Sequence, residues 1–208
     1  MDKLLLGTNN PGKVRELKAL LAPVDIKVLT PDQVAVSLKV AETGVDYEAN
    51  ARKKALAFAE ASGRWTLADD SGLEVAVLDG APGLQSARLA GPAATDADRI
   101  RQLLDMLAQH SRPWKALFRC TMALASPEMV HHVTIGVCRG EIIPEERGQG
   151  GFGYDPIFVV AGTGKTMAEL GVEEKNRLSH RARAVEKMLP ILLELKEEGP
   201  AGDLSLPS

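Results

Sequence analysis

Two carboxylates stand side by side in the run Leu67-Ala68-Asp69-Asp70-Ser71-Gly72-Leu73, and this stretch constrains the fold more than any other. Trp65 to Ala68 reads as a short buried strand, and Gly72 punctuates the chain just beyond the acids. Adjacent aspartates at a strand end repel each other, so a fold that keeps them must offset the repulsion. A turn would do so with local hydrogen bonds, because Asp, Ser and Gly each favour turns for a separate physical reason. A divalent cation would do so with charge: Mg2+ takes hard oxygen ligands and is commonly held by one or two carboxylates plus substrate phosphates. On these residues alone both readings stand. Unless the strand ends there, the two side chains point to opposite faces.

The N-terminal segment reads strand, turn, helix. Lys3-Leu4-Leu5-Leu6 is a compact apolar run, Gly7 to Lys13 follows, and Val14, Leu17, Leu20 and Leu21 then recur at helical spacing. Asn10 suits the N-cap and Pro11 the first helical position. Such a helix start presents unpaired N–H groups beside small polar residues, with Lys13 one step inside. It is either an anion site or a well-capped helix with a solvated lysine. Ile26 to Leu29 reads as the next strand. Glu42, before Thr43-Gly44, reads locally as a turn carboxylate. Asp46 to Ser62 is an alanine-rich helix stopped by Gly63, with Tyr47, Ala51, Ala55 and Phe58 on one stripe. Lys54 falls inside that stripe and Asn50 along its edge. An inward lysine needs a partner, because a buried unpaired ammonium is costly; it faces a phosphate or snorkels to solvent.

Further on, Leu73 to Leu78 alternates as another strand, and Asp79 to Gly83 makes a turn. Arg88 either supports a site or lies on the surface. Thr95 or Asp96 caps a helix running to His110, with Ile100, Leu103, Leu104 and Leu107 as its buried face; it reads as structural. Trp114 to Ala125 and Val130 to Arg139 form an antiparallel ribbon around Ser126 to Met129. Gly148 to Gly153 fits G-x-G-x-x-G but precedes Tyr154 to Phe158, which reads as strand, whereas the dinucleotide fingerprint opens a helix. Gly164-Lys165-Thr166 looks like the end of a P-loop, yet Val159 stands where its leading glycine belongs. A last helix runs from about Ser179, its N-cap, to Lys196, and Pro190 is expected to kink it. His180 and Arg181 then sit in its first turn, where positive charge opposes the helix dipole and calls for an anion or base acceptor. From about Gly199 the tail is expected to fray.

With 208 residues, 45% of them hydrophobic, the chain suits one domain or one domain of two lobes; such a body buries about 70% of its unfolded surface. A net charge of −3 offers no global field for a nucleic-acid backbone, so no nucleic-acid partner is expected. A polyanionic ligand must instead meet a local cluster of cations. No apolar run approaches the ~18 residues of a membrane span, so no membrane partner is expected either. Cys120 and Cys138 lie in apolar, strand-like runs without framework spacing or a signal peptide. They read as reduced core residues of a soluble, cytoplasmic protein.

Five stretches together carry a more specific message: Thr8-Asn9-Asn10-Pro11-Gly12-Lys13, Glu42-Thr43-Gly44, Ala68-Asp69-Asp70-Ser71-Gly72, Gly151-Phe152-Gly153-Tyr154-Asp155-Pro156 and Ser179-His180-Arg181. In this order and spacing the chain resembles the inosine/xanthosine triphosphate pyrophosphatase family over about residues 3 to 196. Gly80-Ala81-Pro82-Gly83, Ser86-Ala87-Arg88 and Lys175 add to the match. Where the family often reads Glu-Asn-Ala, this chain has Ala49-Asn50-Ala51, with Glu48 roughly 100° away around the helix. The resemblance implies an α/β protein, elongated and two-lobed, with a long mixed β-sheet flanked by helices and a central substrate cleft. It implies one domain over residues 1–198, followed by the tail 199–208.

The implied activity is Mg2+-dependent hydrolysis of ITP, dITP and XTP to the monophosphate and pyrophosphate by a cytoplasmic homodimer, clearing these nucleotides from the pool. Position by position, Thr8, Asn9, Asn10, Pro11, Gly12 and Lys13 would cradle the phosphates, joined by Lys54. Glu42 and Asp70 would hold Mg2+, and Ser71 would touch the substrate. Phe152, Gly153, Tyr154 and Asp155 with Lys175 would line the base pocket, and His180 and Arg181 would read the base. Asp70 is the expected water-activating base, with Asp69 next in line and Lys54 completing the catalytic set. Cationic donors from His180 and Arg181 would suit the C6 carbonyl of hypoxanthine or xanthine, and adenine would leave them unpaired. Stacking on Phe152 would add affinity without telling bases apart. Two other readings share these residues: a related pyrophosphatase for other modified nucleotides, and a nucleotide-binding module without turnover.

Overall fold

A computed structural model describes residues 1–197; the tail from 199 to 208 lies outside the described residues. Its strands are β1 (Lys3–Leu6), β2 (Lys27–Leu29), β3 (Thr66–Val75), β4 (Trp114–Ala125), β5 (Val130–Ile142) and β6 (Phe158–Val160). They form one six-stranded sheet in the order β2-β1-β3-β4-β5-β6. β1 runs parallel to β2 and β3, and the remaining pairs are antiparallel, so the sheet is mixed as expected. Parallel neighbours need a crossover, which α1 (Pro11–Leu21) supplies between β1 and β2. The other helices are α2 (Tyr47–Ser62), α3 (Asp96–Leu107), α4 (Val172–Leu178) and α5 (His180–Glu197).

Local chemistry explains most helix boundaries. Asn10 caps α1 by accepting from Lys13 N at 3.1 Å, with Pro11 at the first position. Asp46 caps α2 by accepting from Ala49 N at 2.7 Å, and Gly63 closes it at φ 65°. Ser179 accepts from Ala182 N at 3.1 Å at the start of α5, which continues through Pro190. Two expectations need correction, and one helix was not expected. The strands read separately at Trp65–Ala68 and Leu73–Leu78 join as one from Thr66 to Val75, because β4 pairs with β3 throughout and the ladder overrides the turn preference of Asp-Asp-Ser-Gly, while Ala76–Leu78 is a 3-10 turn and not strand. Tyr154 to Phe158 is not a strand: Pro156 has no N–H to give a ladder, and Asp155–Ile157 make a 3-10 turn leading into β6. α4 escaped notice because none of its residues is buried, so it leaves no apolar period.

Along β3, Leu67, Asp69, Ser71, Leu73 and Val75 share one face. At one end of that face Leu67 joins a core with Leu6, Leu17, Met122, Val185 and Met188. At the other end Leu73 and Val75 join Ile100, Leu103, Phe118 and Phe158. Each such side chain contributes about 1.5–3 kcal/mol by leaving water. Asp69 and Ser71 lie between the two cores. On the opposite face, Ala51, Ala55 and Ala59 of α2 pack on Ala68, Ala123 and Ala125. These small residues bring α2 close to the sheet and carry Lys54 and Asn50 to Asp70. Cys120 and Cys138 are free and buried, and burial pushes their thiols up to about 12 and about 11. Among the described residues no helix is long and apolar enough to cross a membrane.

Candidate active site

β3 delivers its adjacent acids to different neighbours. Asp70 Oδ1 pairs with Lys54 Nζ at 2.8 Å, and its Oδ2 accepts from Asn50 Nδ2 at 3.1 Å. The same ammonium pairs with Glu42 Oε1 at 2.7 Å, and Glu42 Oε2 takes Arg88 Nη1 at 2.6 Å. Asn50 also accepts from Gly44 N at 2.7 Å, which pins the Glu42 segment to α2. The inward lysine thus finds two carboxylates as its partners rather than an open phosphate site. Glu48 plays no part, pairing with Arg52 at 2.7 Å on the outer surface.

Burial, followed by the charge of Glu42, pushes the Asp70 carboxyl above the ordinary range against the pull of Lys54. Burial also pushes Glu42 upward, but Lys54 and Arg88 hold it down to about 2. For Lys54, burial favours the neutral amine and is outweighed by Asp70, Asp69 and Glu42, so it stays an ammonium.

Asp69 points into the sheet's other face, its side chain fully buried. One oxygen, Oδ2, meets Lys13 Nζ at 3.0 Å, Arg181 Nη2 at 3.3 Å and Ser71 Oγ at 2.5 Å. Burial raises its proton affinity, but Lys13, Arg181 and Lys54 more than reverse this and hold the carboxyl far below the usual range. Asp69 was next in line as the base; its burial and this charge environment fit it instead to anchor two cations.

At the far end, Lys175 Nζ bridges Asp155 Oδ2 and Glu16 Oε1, both at 2.7 Å, and Arg181 Nη1 pairs with Glu16 Oε2. Phe152 N donates to Asp155 Oδ2 at 3.1 Å. The Lys175 ammonium and the Arg181 guanidinium lie 5.7 and 5.8 Å from the Phe152 ring centre. Gly12 makes room for that ring, since a Cβ there would meet Phe152 at 2.7 Å. His180 stacks on Phe118 at 4.8 Å and 15°. Burial and the nearby Arg181 hold its imidazole well below the usual 6.5, which corrects the expectation of a cationic His180. Among the described residues, His180 Nδ1 and Arg181 Nε are buried without a hydrogen-bond partner.

A cleft of about 180 Å³ joins the two ends. Asn10, Lys13, Glu42, Asp70 and Ser71 line it at one end, and Phe152 to Asp155, Lys175, His180 and Arg181 at the other. Thr8, Asn9 and Pro11 stay outside its wall: Thr8 Oγ1 accepts from Asn10 N at 3.2 Å, and Asn9 Nδ2 donates to Leu38 O at 2.9 Å. Gly12, Lys54 and Asp69 lie behind the wall. Residues outside the expected set also line it, among them Glu16, Asp96, Arg99 and Phe118. Glu16 was legible as the neighbour of Lys13 one turn along α1. α3, read as structural, brings Asp96 and Arg99 to the cleft and is corrected on that point. A larger depression of about 470 Å³ beside β6 contains none of the candidate residues.

Glu42 and Asp70 converge on one ammonium, giving two hard oxygen donors at the cleft. Among the described residues no group of three or more His, Cys, Asp or Glu could by itself hold a metal ion, and an ion held by these two carboxylates would need water or substrate oxygens besides. That donor set fits Mg2+.

The model of the Ham1 family matches residues 4–191. A dITP/XTP pyrophosphatase from Desulforamulus reducens is 46% identical over 194 residues, covering 93% of this chain and 96% of its own. One from Gloeobacter violaceus is 48% identical over 191 residues, covering 91% and 93%. The solved structure of a HAM1 protein from Coxiella burnetii matches with a TM-score of 0.83 at 41% identity, over 93% of this chain and 100% of that one.

Proposed function

The chain belongs to the Ham1 family, and from that premise we propose that it hydrolyses the deaminated purine nucleoside triphosphates ITP, dITP and XTP to the monophosphate and pyrophosphate. The observation that carries this reading is one cleft with a carboxylate–ammonium cluster at one end and Phe152, flanked by Lys175 and Arg181, at the other. Water attacks the α-phosphorus, the bond to the bridging oxygen breaks, and pyrophosphate leaves. Asp70 accepts the proton of that water; its raised proton affinity and its place in the cleft wall support the role. Lys13 and the positive end of the α1 dipole hold the phosphates. A triphosphate carries about four negative charges, and in a poorly solvated cleft each ion pair is worth several kcal/mol.

Glu42 and Asp70 would hold Mg2+, which supplies positive charge against the phosphates. Lys54 gathers both carboxylates from behind the wall, and Asp69 fixes Lys13 and Arg181 from below. Phe152 stacks on the base. Arg181 and Lys175 donate toward its carbonyl edge, oriented by Glu16 and Asp155, while neutral His180 offers Nδ1. Adenine would present an amino group to these donors and leave them unsatisfied. The enzyme works in the cytoplasm as a homodimer, a reading that rests on the family resemblance; light scattering should give a mass near twice 22.3 kDa.

Pyrophosphate release from a triphosphate panel tests the reaction. ITP, dITP and XTP should exceed ATP, GTP and dTTP by orders of magnitude with Mg2+, and EDTA should abolish release. Equal rates on ATP, or ITP binding without release, would overturn the reading.

A further inference from the structure

The base-pocket loop is held by α3 as well as by Lys175. Gly153, at φ 64°, donates its N–H to Asp96 Oδ2 at 2.7 Å. Asp96 Oδ1 in turn takes Arg99 Nη1 at 2.5 Å. The other guanidinium nitrogens are also engaged: Nε donates to Ala87 O at 3.0 Å and Nη2 to Ala94 O at 2.6 Å. Every nitrogen of Arg99 is therefore used in one planar arrangement, which fixes the Asp96 carboxylate against α3 and the segment before it.

The stability of α3 does not require this. Its cap is complete without Asp96, because Thr95 Oγ1 accepts from Asp98 N at 3.2 Å and Asp98 Oδ2 accepts from Thr95 N at 3.0 Å. Its buried face is Ile100, Leu103 and Leu107. Asp96 nonetheless makes a charge-assisted bond to a backbone N–H 57 residues away, and both Asp96 and Arg99 line the cleft. The geometry points to Asp96 and Arg99 as positioning residues of the base pocket. Arg99 fixes Asp96, Asp96 fixes Gly153, and Gly153 sets its neighbours Phe152, whose ring the base would stack on, and Asp155, which orients Lys175. The pair acts on base affinity and selectivity, and not on bond cleavage; it rests on the proposed function.

The test uses Asp96→Ala and Arg99→Ala in the full chain, with ITP turnover and calorimetric titration of inosine monophosphate in EDTA. For Asp96→Ala, loss of one charge-assisted bond should raise the KM for ITP and the Kd for the monophosphate together by about tenfold. kcat should fall less than about threefold, and the preference for ITP over GTP should narrow. Asp96→Asn, whose amide oxygen still accepts from Gly153, should recover most of the KM. Unchanged KM and Kd, or a loss confined to kcat, overturns the inference. If Asp96→Ala does not fold, Arg99→Lys decides, since it keeps the charge and loses the three-way fork: a raised KM supports the inference and an unchanged one overturns it. A wild-type protein inert toward ITP instead defeats the functional reading, and the monophosphate titration still reports on the pocket.

Discussion

Asp70 faces Lys54 and Asn50 on α2, whereas Asp69, one residue earlier, faces Lys13 and Arg181 on the other side of the sheet. Different losses follow from the same substitution. Asp70→Asn should lower kcat by about 10²–10⁴ with ITP binding retained, as removal of a general base does. Asp69→Asn should raise KM and cost about 3–5 kcal/mol of stability, because Arg181, 1% exposed, would lose one of its two carboxylates. Kinetics and urea unfolding of both variants separate the two. His180 offers a pH test. Its folded proton affinity lies well below the ordinary 6.5, so under pH 6.5 the unfolded chain binds a proton that the native one refuses. Stability from this group is present above pH 6.5 and is lost as pH falls below it, at up to about 1.4 kcal/mol per pH unit. Unfolding at pH 7, 6 and 5 should show that slope in the wild type and a shallower one in His180→Gln; equal slopes would refute it. Strand alternation already told that the two acids part company. Which neighbours await each one depends on helices remote in sequence.

At the scale of elements, close approach decides as much as propensity. α5 lies directly on β5 at Gly136, where an added Cβ would sit 2.1 Å from His180 O and 2.4 Å from Ala184 N. Both are backbone atoms and cannot swing aside as a side chain would. Gly136→Ala should therefore cost about 1–3 kcal/mol as helix and strand separate, and it should raise KM as well, because His180 and Arg181 begin that helix. Thermal unfolding beside steady-state kinetics checks both; a variant of wild-type stability would mean the contact is looser than described. α2, α5, β4 and β5 were legible because their apolar periods are long. The continuity of β3 was not, since Asp-Asp-Ser-Gly favours a turn and only ten residues of pairing with β4 and its neighbours prevail over it. α4 was silent for the opposite reason: with no buried residue it has no period to read.

For the whole molecule, the two cores occupy one sheet face on either side of the cleft, and β3 and β4 run through both. Neither core can lose its strands without the other, so unfolding should be one transition. Leu67→Ala in one core and Leu103→Ala in the other should each lower stability by about 2–5 kcal/mol and shift that transition without splitting it; calorimetry showing two peaks for either variant would defeat the prediction. Caps, apolar periods and the order of the short motifs were written in the chain, because they depend on neighbours within a helical turn or a strand's alternation. They determined the elements, the mixed α/β class and the family. The tertiary structure alone decided that Lys54 meets Glu42 and Asp70, that one oxygen of Asp69 holds cations from both ends of the cleft, that His180 is neutral, and that α3 reaches the base pocket through Asp96. Each of these joins groups far apart in sequence. Their charge and proton affinity are set by burial and by the partners folding brings within 3 Å or so, and no local pattern encodes that distance.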